Sequence, residues 1–161
     1  MYQINRVNED NISSLLSLIE LKQGKNRHRE EVLRQKIQRR EGIYYLLEKG
    51  ESPLAYAHWI QDAERDAWIR LQTIATATDE EIIPITKILM YTSETSFRTL
   101  YEKVFERTQV LGARFERDKT NNPLKNLYRS LGYHLIDDDP QELWEKQFPR
   151  RELETPLEMR R

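Results

Sequence analysis

Between residues 43 and 75 the chain carries three strand-like runs joined only by short polar links, and that arrangement commits it to an antiparallel meander. Ile43-Tyr44-Tyr45-Leu46-Leu47 leads through Lys49-Gly50-Glu51-Ser52-Pro53, rich in turn formers, into Leu54-Ala55-Tyr56-Ala57-His58-Trp59-Ile60. A second link at 62–66 opens onto Trp68-Ile69-Arg70-Leu71-Gln72-Thr73-Ile74-Ala75, where polar-mixed and apolar positions alternate. Three neighbouring strands need helices or a second layer to cover them, so the flanking sequence must supply helices.

It does so on both sides. Residues 2–7 form a first strand, and Asn8 is placed to cap a helix with Glu9 and Asp10 in its first turn and Ile12, Leu15, Leu16 and Ile19 as its buried stripe. Gly24 stops it. A second helix over 29–40 has only Val32, Leu33 and Ile37 as apolar anchors, so it lies on the surface and ends at Gly42. Beyond the meander, Ile82, Ile85, Ile88 and Leu89 recur at helical spacing from Asp79 onward, with Pro84 tolerable in the first turn. The polar cluster Thr92-Ser93-Glu94-Thr95-Ser96 then predicts a break. Phe97, Leu100, Tyr101, Val104 and Phe105 predict a second, separate helix over about 93–111. A strand over 113–117, a short helix, a strand over 133–136 and a final strand or helix around Leu143, Trp144 and Phe148 complete the reading.

The composition limits what such a domain can be. At 161 residues one domain suffices, taken as 1–148 with a charged, mobile tail at 149–161. The 26 basic and 27 acidic side chains leave a net charge of -1, so no global field announces nucleic acid or membrane. Cysteine is absent, which removes disulfides, thiolate metal sites and cysteine nucleophiles. No run approaches the ~20 apolar residues of a membrane span, and the N-terminus lacks a signal-peptide core, so a cytoplasmic protein without membrane attachment is expected. His28, His58 and His134 lie in separate elements, and no metal site is expected. Asp137-Asp138-Asp139 reads as a solvated turn.

The short helix at 122–132 is the most informative local motif. Asn122 suits its cap, Pro123 its first position and Gly132 its left-handed end, while Leu124, Leu127, Tyr128 and Leu131 share a face. The run Asn121, Tyr128, Leu131-Gly132-Tyr133 resembles the last motif of the GNAT superfamily of acyl-CoA N-acyltransferases: an asparagine, six residues, a tyrosine and a Leu-Gly-Phe/Tyr stop. The element order, namely strand, two helices, three-strand meander, helix, strand, helix and two strands, is similar to the order of the GNAT fold over residues 2–148. The resemblance implies an α/β domain with a mixed, mostly antiparallel central sheet flanked by helices.

It also implies a chemistry. An acetyl or longer acyl group would pass from acyl-CoA to an amine on a small molecule or peptide. Tyr128 would protonate the departing thiolate, and His58 or Glu116 would take the amine proton. Backbone donors at the strand end formed by Thr73, Ile74, Ala75 and Thr76 would hold the acyl group, with Thr86, Lys87 and Asn121 assisting the cofactor. Tyr128 and His58 serve equally well as structural residues, one an amphipathic core tyrosine and the other a half-buried strand histidine. One family feature is missing. The Arg/Gln-x-x-Gly-x-Gly/Ala loop that cradles the pyrophosphate corresponds here to Glu81-Ile82-Ile83-Pro84-Ile85-Thr86, with an acidic lead residue and no glycine. The alternative is therefore a non-catalytic GNAT-like module that binds a protein or nucleic-acid partner, RNA included, through the basic helix at 25–40 or the added helix around Phe97 to Phe105. Under either reading a monomer or homodimer is expected.

Overall fold

The computed structural model describes residues 1–65, 67–104, 112–117 and 122–148. Among these residues are seven strands and four helices, in the order β1 (Tyr2–Arg6), α1 (Ile12–Gln23), α2 (Arg27–Gln38), β2 (Ile43–Lys49), β3 (Ser52–Gln61), β4 (Trp68–Thr76), α3 (Ile82–Val104), β5 (Gly112–Arg117), α4 (Asn122–Ser130), β6 (His134–Asp137) and β7 (Glu142–Gln147). The strands form one sheet in the order β1-β2-β3-β4-β5-β7-β6. All neighbours are antiparallel except β4 and β5. The expected meander is β2-β3-β4. The residues after the Asp137-Asp138-Asp139 turn form a strand, β7, which inserts between β5 and β6.

Strand alternation sends side chains to two cores. Tyr45, Leu47, Ala55, Ala57, Trp59, Ile69 and Leu71 face α3 and α4. Tyr44, Leu46 and Tyr56 face α1 and the single buried anchor of α2, Leu33. Helix α1 begins later than the sequence indicates. Asn8 accepts from the amides of Asp10 and Asn11, forming a turn that delivers the chain to Ile12, so it caps this preceding turn rather than the helix. In α2 the cap is Asn26, whose side chain accepts from Arg29 N, and the helix starts two residues before the expected Arg29.

The larger correction concerns α3, a single helix from Ile82 to Val104 rather than two. The polar cluster does not break it, because Thr95 bonds back to its own helix and Ser93, Glu94 and Ser96 find partners elsewhere in the fold. Thr95 and Thr99 bond back to the carbonyls of Tyr91 and Thr95. Ser93 accepts from Trp59 Nε1 at 2.8 Å and donates to Leu89 O, and Ser96 lies 3.1 Å from the Tyr45 hydroxyl. Glu94 accepts from the Tyr133 hydroxyl at 2.8 Å and pairs with Lys146 Nζ at 2.6 Å. The cluster is thus the line along which α3 is hydrogen-bonded to the sheet and to the chain following α4.

Helix α4 ends as its sequence indicates. Tyr133 N donates to Tyr128 O and Gly132 N to Arg129 O, with Gly132 at φ +92°, the two bonds of a Schellman motif. A Cβ at Gly132 would also lie 2.9 Å from Lys146 Cδ. Residues 149–161 and the end of the expected second helix at 105–111 lie outside the described residues.

Candidate active site

The site begins with a backbone irregularity. Strands β3 and β4 pair as Trp59↔Leu71 and then His58↔Thr73, so Gln72 is an extra residue without an opposite number. Such a bulge bends its strand and increases the local twist. At the same point β4 parts from β5: their last parallel pair is Leu71↔Phe115, although β4 continues to Thr76 and β5 to Arg117. The divergence opens a cleft of about 340 Å³ lined by Leu71, Gln72, Thr73 and Ile74 on one side and Phe115, Glu116 and Arg117 on the other, with Gln141 at its edge.

The opening leaves strand backbone without a ladder partner. Ala77 N donates to Leu54 O at 2.7 Å, so alternation turns the peptide groups of Ala77 and Ala75 towards β3 and those of Ile74 and Thr76 towards the open edge. The Thr76 carbonyl accepts from Lys22 Nζ at the end of α1. The Ile74 and Thr76 amides remain as donors facing the cleft side. Thr73 and Ile74 line the cleft itself; Ala75 packs towards α1 and Thr76 is buried.

Charge collects on the cleft rim. Arg70 Nη2 donates to Glu116 Oε1 at 2.9 Å, and Arg114 lies 3.7 Å from both Glu116 and the buried Asp62. Glu116 is therefore at the cleft with its carboxylate engaged by a guanidinium. Arg70 and Arg114 are cross-strand neighbours on the parallel ladder, and Asp62 sits just past the end of β3. Strand alternation shows Arg70 in the sequence, but its meeting with Arg114 and Asp62 needs the β4/β5 register, which the sequence does not reveal.

Tyr128 lies one side chain deep in the cleft wall. It is fully buried, its ring meets Phe115 edge-on at 5.0 Å and Trp144 at 5.2 Å, and the Arg117 guanidinium stands over it at 5.2 Å. Two of those neighbours, Phe115 and Arg117, line the cleft. The hydroxyl has no hydrogen-bond partner among the described residues. Burial raises its pKa to about 12, with Arg117 opposing and buried Glu142 reinforcing the shift, so the phenol is protonated at any physiological pH. Glu142 accepts from Trp144 Nε1 and lies 3.2 Å from Lys125 Nζ.

His58 stands elsewhere. Its ring is buried on the α1/α2 side of β3, stacked on Tyr44 at 3.8 Å, with Nε2 2.9 Å from Glu41 O. A carbonyl only accepts, so Nε2 carries the proton. Burial lowers the pKa of this imidazole below 6.5. The structure does not bring His58 to the cleft; its contacts are those of a packing residue beneath the α2–β2 turn.

The turn expected to meet a pyrophosphate is also unusual in three dimensions. Glu81 adopts φ +54°, a left-handed conformation that favours glycine, and its carbonyl accepts the first helical bond from Ile85 N. Its carboxylate accepts from the Tyr2 hydroxyl at 2.7 Å. Thr86 is buried within α3 and Lys87 is exposed on it, while Asn121 lies outside the described residues. Among the described residues, no group of three or more His, Asp or Glu could hold a metal ion, and no helix is long and apolar enough to cross a membrane.

No family model matches the sequence, and no curated protein matches it. Solved structures do match the fold. The PaiA N-acetyltransferase from Thermoplasma acidophilum, in complex with coenzyme A, superposes with a TM-score of 0.64 at 12% identity, over 92% of this chain and 99% of that one. An acetyltransferase of the GNAT family from Staphylococcus aureus gives 0.63 at 11% identity, over 91% and 99%. An aminoglycoside 6'-acetyltransferase type Ii gives 0.66 at 15%, over 92% and 99%. The chain has the fold of the GNAT N-acetyltransferases.

Proposed function

We propose that the protein is an acyl-CoA-dependent N-acyltransferase whose reaction takes place in the cleft between β4 and β5. The observation that carries this reading is the bulge at Gln72. It opens the sheet where two backbone amides are left to receive a carbonyl and where a buried tyrosine hydroxyl, without a hydrogen-bond partner among the described residues, lies in the wall. The residues fit the thioester end of coenzyme A: the Ile74 and Thr76 amides would hold the acyl part and Thr73 would flank it. At the phosphate end the first-turn amides of Ile82 and Ile83 are the available donors, and Pro84 contributes none.

When bound, the cofactor supplies an acyl group activated as a thioester. The amides of Ile74 and Thr76 favour the charge that develops on the carbonyl oxygen, because they are fixed before the reaction begins. As the C–N bond forms and the C–S bond breaks, the amine must lose a proton and the sulfur must gain one. Glu116, unlike His58, lines the cleft and can accept the amine proton by exchanging its contact with Arg70. Tyr128 keeps its proton at Oη across the physiological range and can donate it to the departing sulfur. The acceptor is an amine on a small molecule or peptide.

Thermal shift and calorimetry with acetyl-CoA and longer acyl-CoAs test the reading, since saturating ligand raises the melting point by mass action. No shift with any acyl-CoA overturns it. In a protein that binds, Tyr128→Phe lowers turnover and leaves acetyl-CoA affinity unchanged. Because the hydroxyl has no hydrogen bond of good geometry among the described residues, removing it should change stability by less than about 1 kcal/mol. Undiminished turnover would return Tyr128 to a packing role.

A further inference from the structure

At the opposite end of the strands lies a larger cavity, about 790 Å³, that the proposed reaction does not use. It is enclosed by the end of β1, the turn from α2 into β2, the end of β3 and the C-terminal half of α3. Val7, Tyr44 and Phe97 give it an apolar floor, and each is less than a tenth exposed. Arg6 and Arg40, both exposed, also line it, with Glu9 as the only carboxylate among the described lining residues. Among the described residues neither guanidinium has an ion pair or a hydrogen bond.

Arg40 is also in a conformation that its side chain makes unfavourable. Helix α2 ends in a Schellman motif: Arg40 N donates to Ile37 O, Glu41 N donates to Lys36 O, and the residue between helix and strand takes φ +56°. That is the position glycine fills at the end of α4, where Gly132 makes the same pair of bonds. An arginine there destabilises the turn relative to glycine, and among the described residues its guanidinium makes no ion pair or hydrogen bond. A strained residue that borders a cavity points to function at that cavity.

We propose that this cavity binds an amphipathic monocarboxylate, its hydrocarbon part on Val7, Tyr44 and Phe97 and its carboxylate between Arg6 and Arg40. The volume falls in the range of small-ligand sites, the lining includes buried apolar side chains, and two arginines border it that can pair with an anionic head group. Among the described lining residues two arginines stand against one carboxylate, Glu9, a balance that suits a monoanion better than a phosphate dianion. The site is separate from the β4/β5 cleft, and the proposal does not depend on the acyl-transfer reading.

Calorimetric titration with sodium octanoate, octylamine and octanol compares one tail with three head groups, and methyl NMR of Val7 locates the ligand. Octanoate binds and shifts the Val7 methyl resonances, whereas octylamine does not bind. Arg6→Gln and Arg40→Gln each weaken octanoate by about tenfold or more, as expected for a lost charge-assisted hydrogen bond. Arg40→Gly raises the melting temperature of the ligand-free protein while weakening octanoate to the same degree. The proposal is overturned if octanoate gives no heat, if both arginine variants bind it as tightly as the parent, or if octylamine binds equally well. Displacement of octanoate by coenzyme A also overturns it, because the carboxylate would then lie in the other cleft.

Discussion

Ser93 offers a direct test of why α3 is one helix. Its hydroxyl is fully buried and is the partner of Trp59 Nε1, itself in a fully buried side chain. In Ser93→Ala the indole N–H keeps its burial and loses its acceptor, which costs about 1–3 kcal/mol. Alanine recovers about 0.5 kcal/mol of helix propensity. The net expectation is a loss of about 1–2 kcal/mol, which for a chain of this length lowers the melting temperature by about 2–8 °C. Urea denaturation followed by far-ultraviolet circular dichroism measures it without relying on tryptophan emission. The mechanism is isolated by repeating the change in a Trp59→Phe background, where there is no N–H to orphan. There Ser93→Ala should be neutral or slightly stabilising, giving a coupling of about 1–3 kcal/mol between the two sites. Equal losses in both backgrounds would refute the account and reduce Ser93 to a helix-interior serine.

Three further outcomes follow from the packing. Gly132→Ala puts a Cβ on a left-handed residue 2.9 Å from Lys146 Cδ, so it should destabilise the fold by about 1–2 kcal/mol in chemical denaturation. Glu94→Ala removes the partner shared by Tyr133 and Lys146; Lys146 is partly solvated, so the loss should be about 2–3 kcal/mol, below that for a fully buried pair, read as the urea midpoint. His58 has its folded pKa lowered by burial from 6.5, so the unfolded chain takes up the proton first. Its contribution to stability is intact above about pH 6.5 and is lost as pH falls through that value towards the folded pKa. Between pH 7.5 and 5 the melting temperature of His58→Gln should therefore fall less steeply than that of the parent, and parallel slopes would contradict the burial argument.

Much of the fold is legible in the sequence because the signals that specify it are local. Alternation over 43–75 gives the meander, and the Pro123 to Gly132 segment gives a helix whose stop forms the expected two hydrogen bonds. The site is legible only in part. Tyr128, Glu116 and the Thr73 to Thr76 strand end lie at or beside one cleft, but His58 does not join them, because its side of β3 is covered by Tyr44 and the α2–β2 turn. A histidine on a strand shows its periodicity and not which neighbour will roof it.

By itself the sequence determined what depends on a few adjacent residues: the meander, the stop at Gly132 and the absence of any thiol chemistry. Tertiary structure alone decided four things. It made α3 continuous, because Ser93, Glu94 and Ser96 find partners on Trp59, Tyr133 and Tyr45, up to 51 residues away in the chain. It inserted β7 between β5 and β6, and it placed an extra residue at Gln72 so that the sheet opens beyond Leu71. It also brought Arg6 and Arg40 to one cavity. Each of these is a match between distant segments, and a polar or strained residue shows its local disadvantage in the sequence while the compensating contact exists only once the chain has folded.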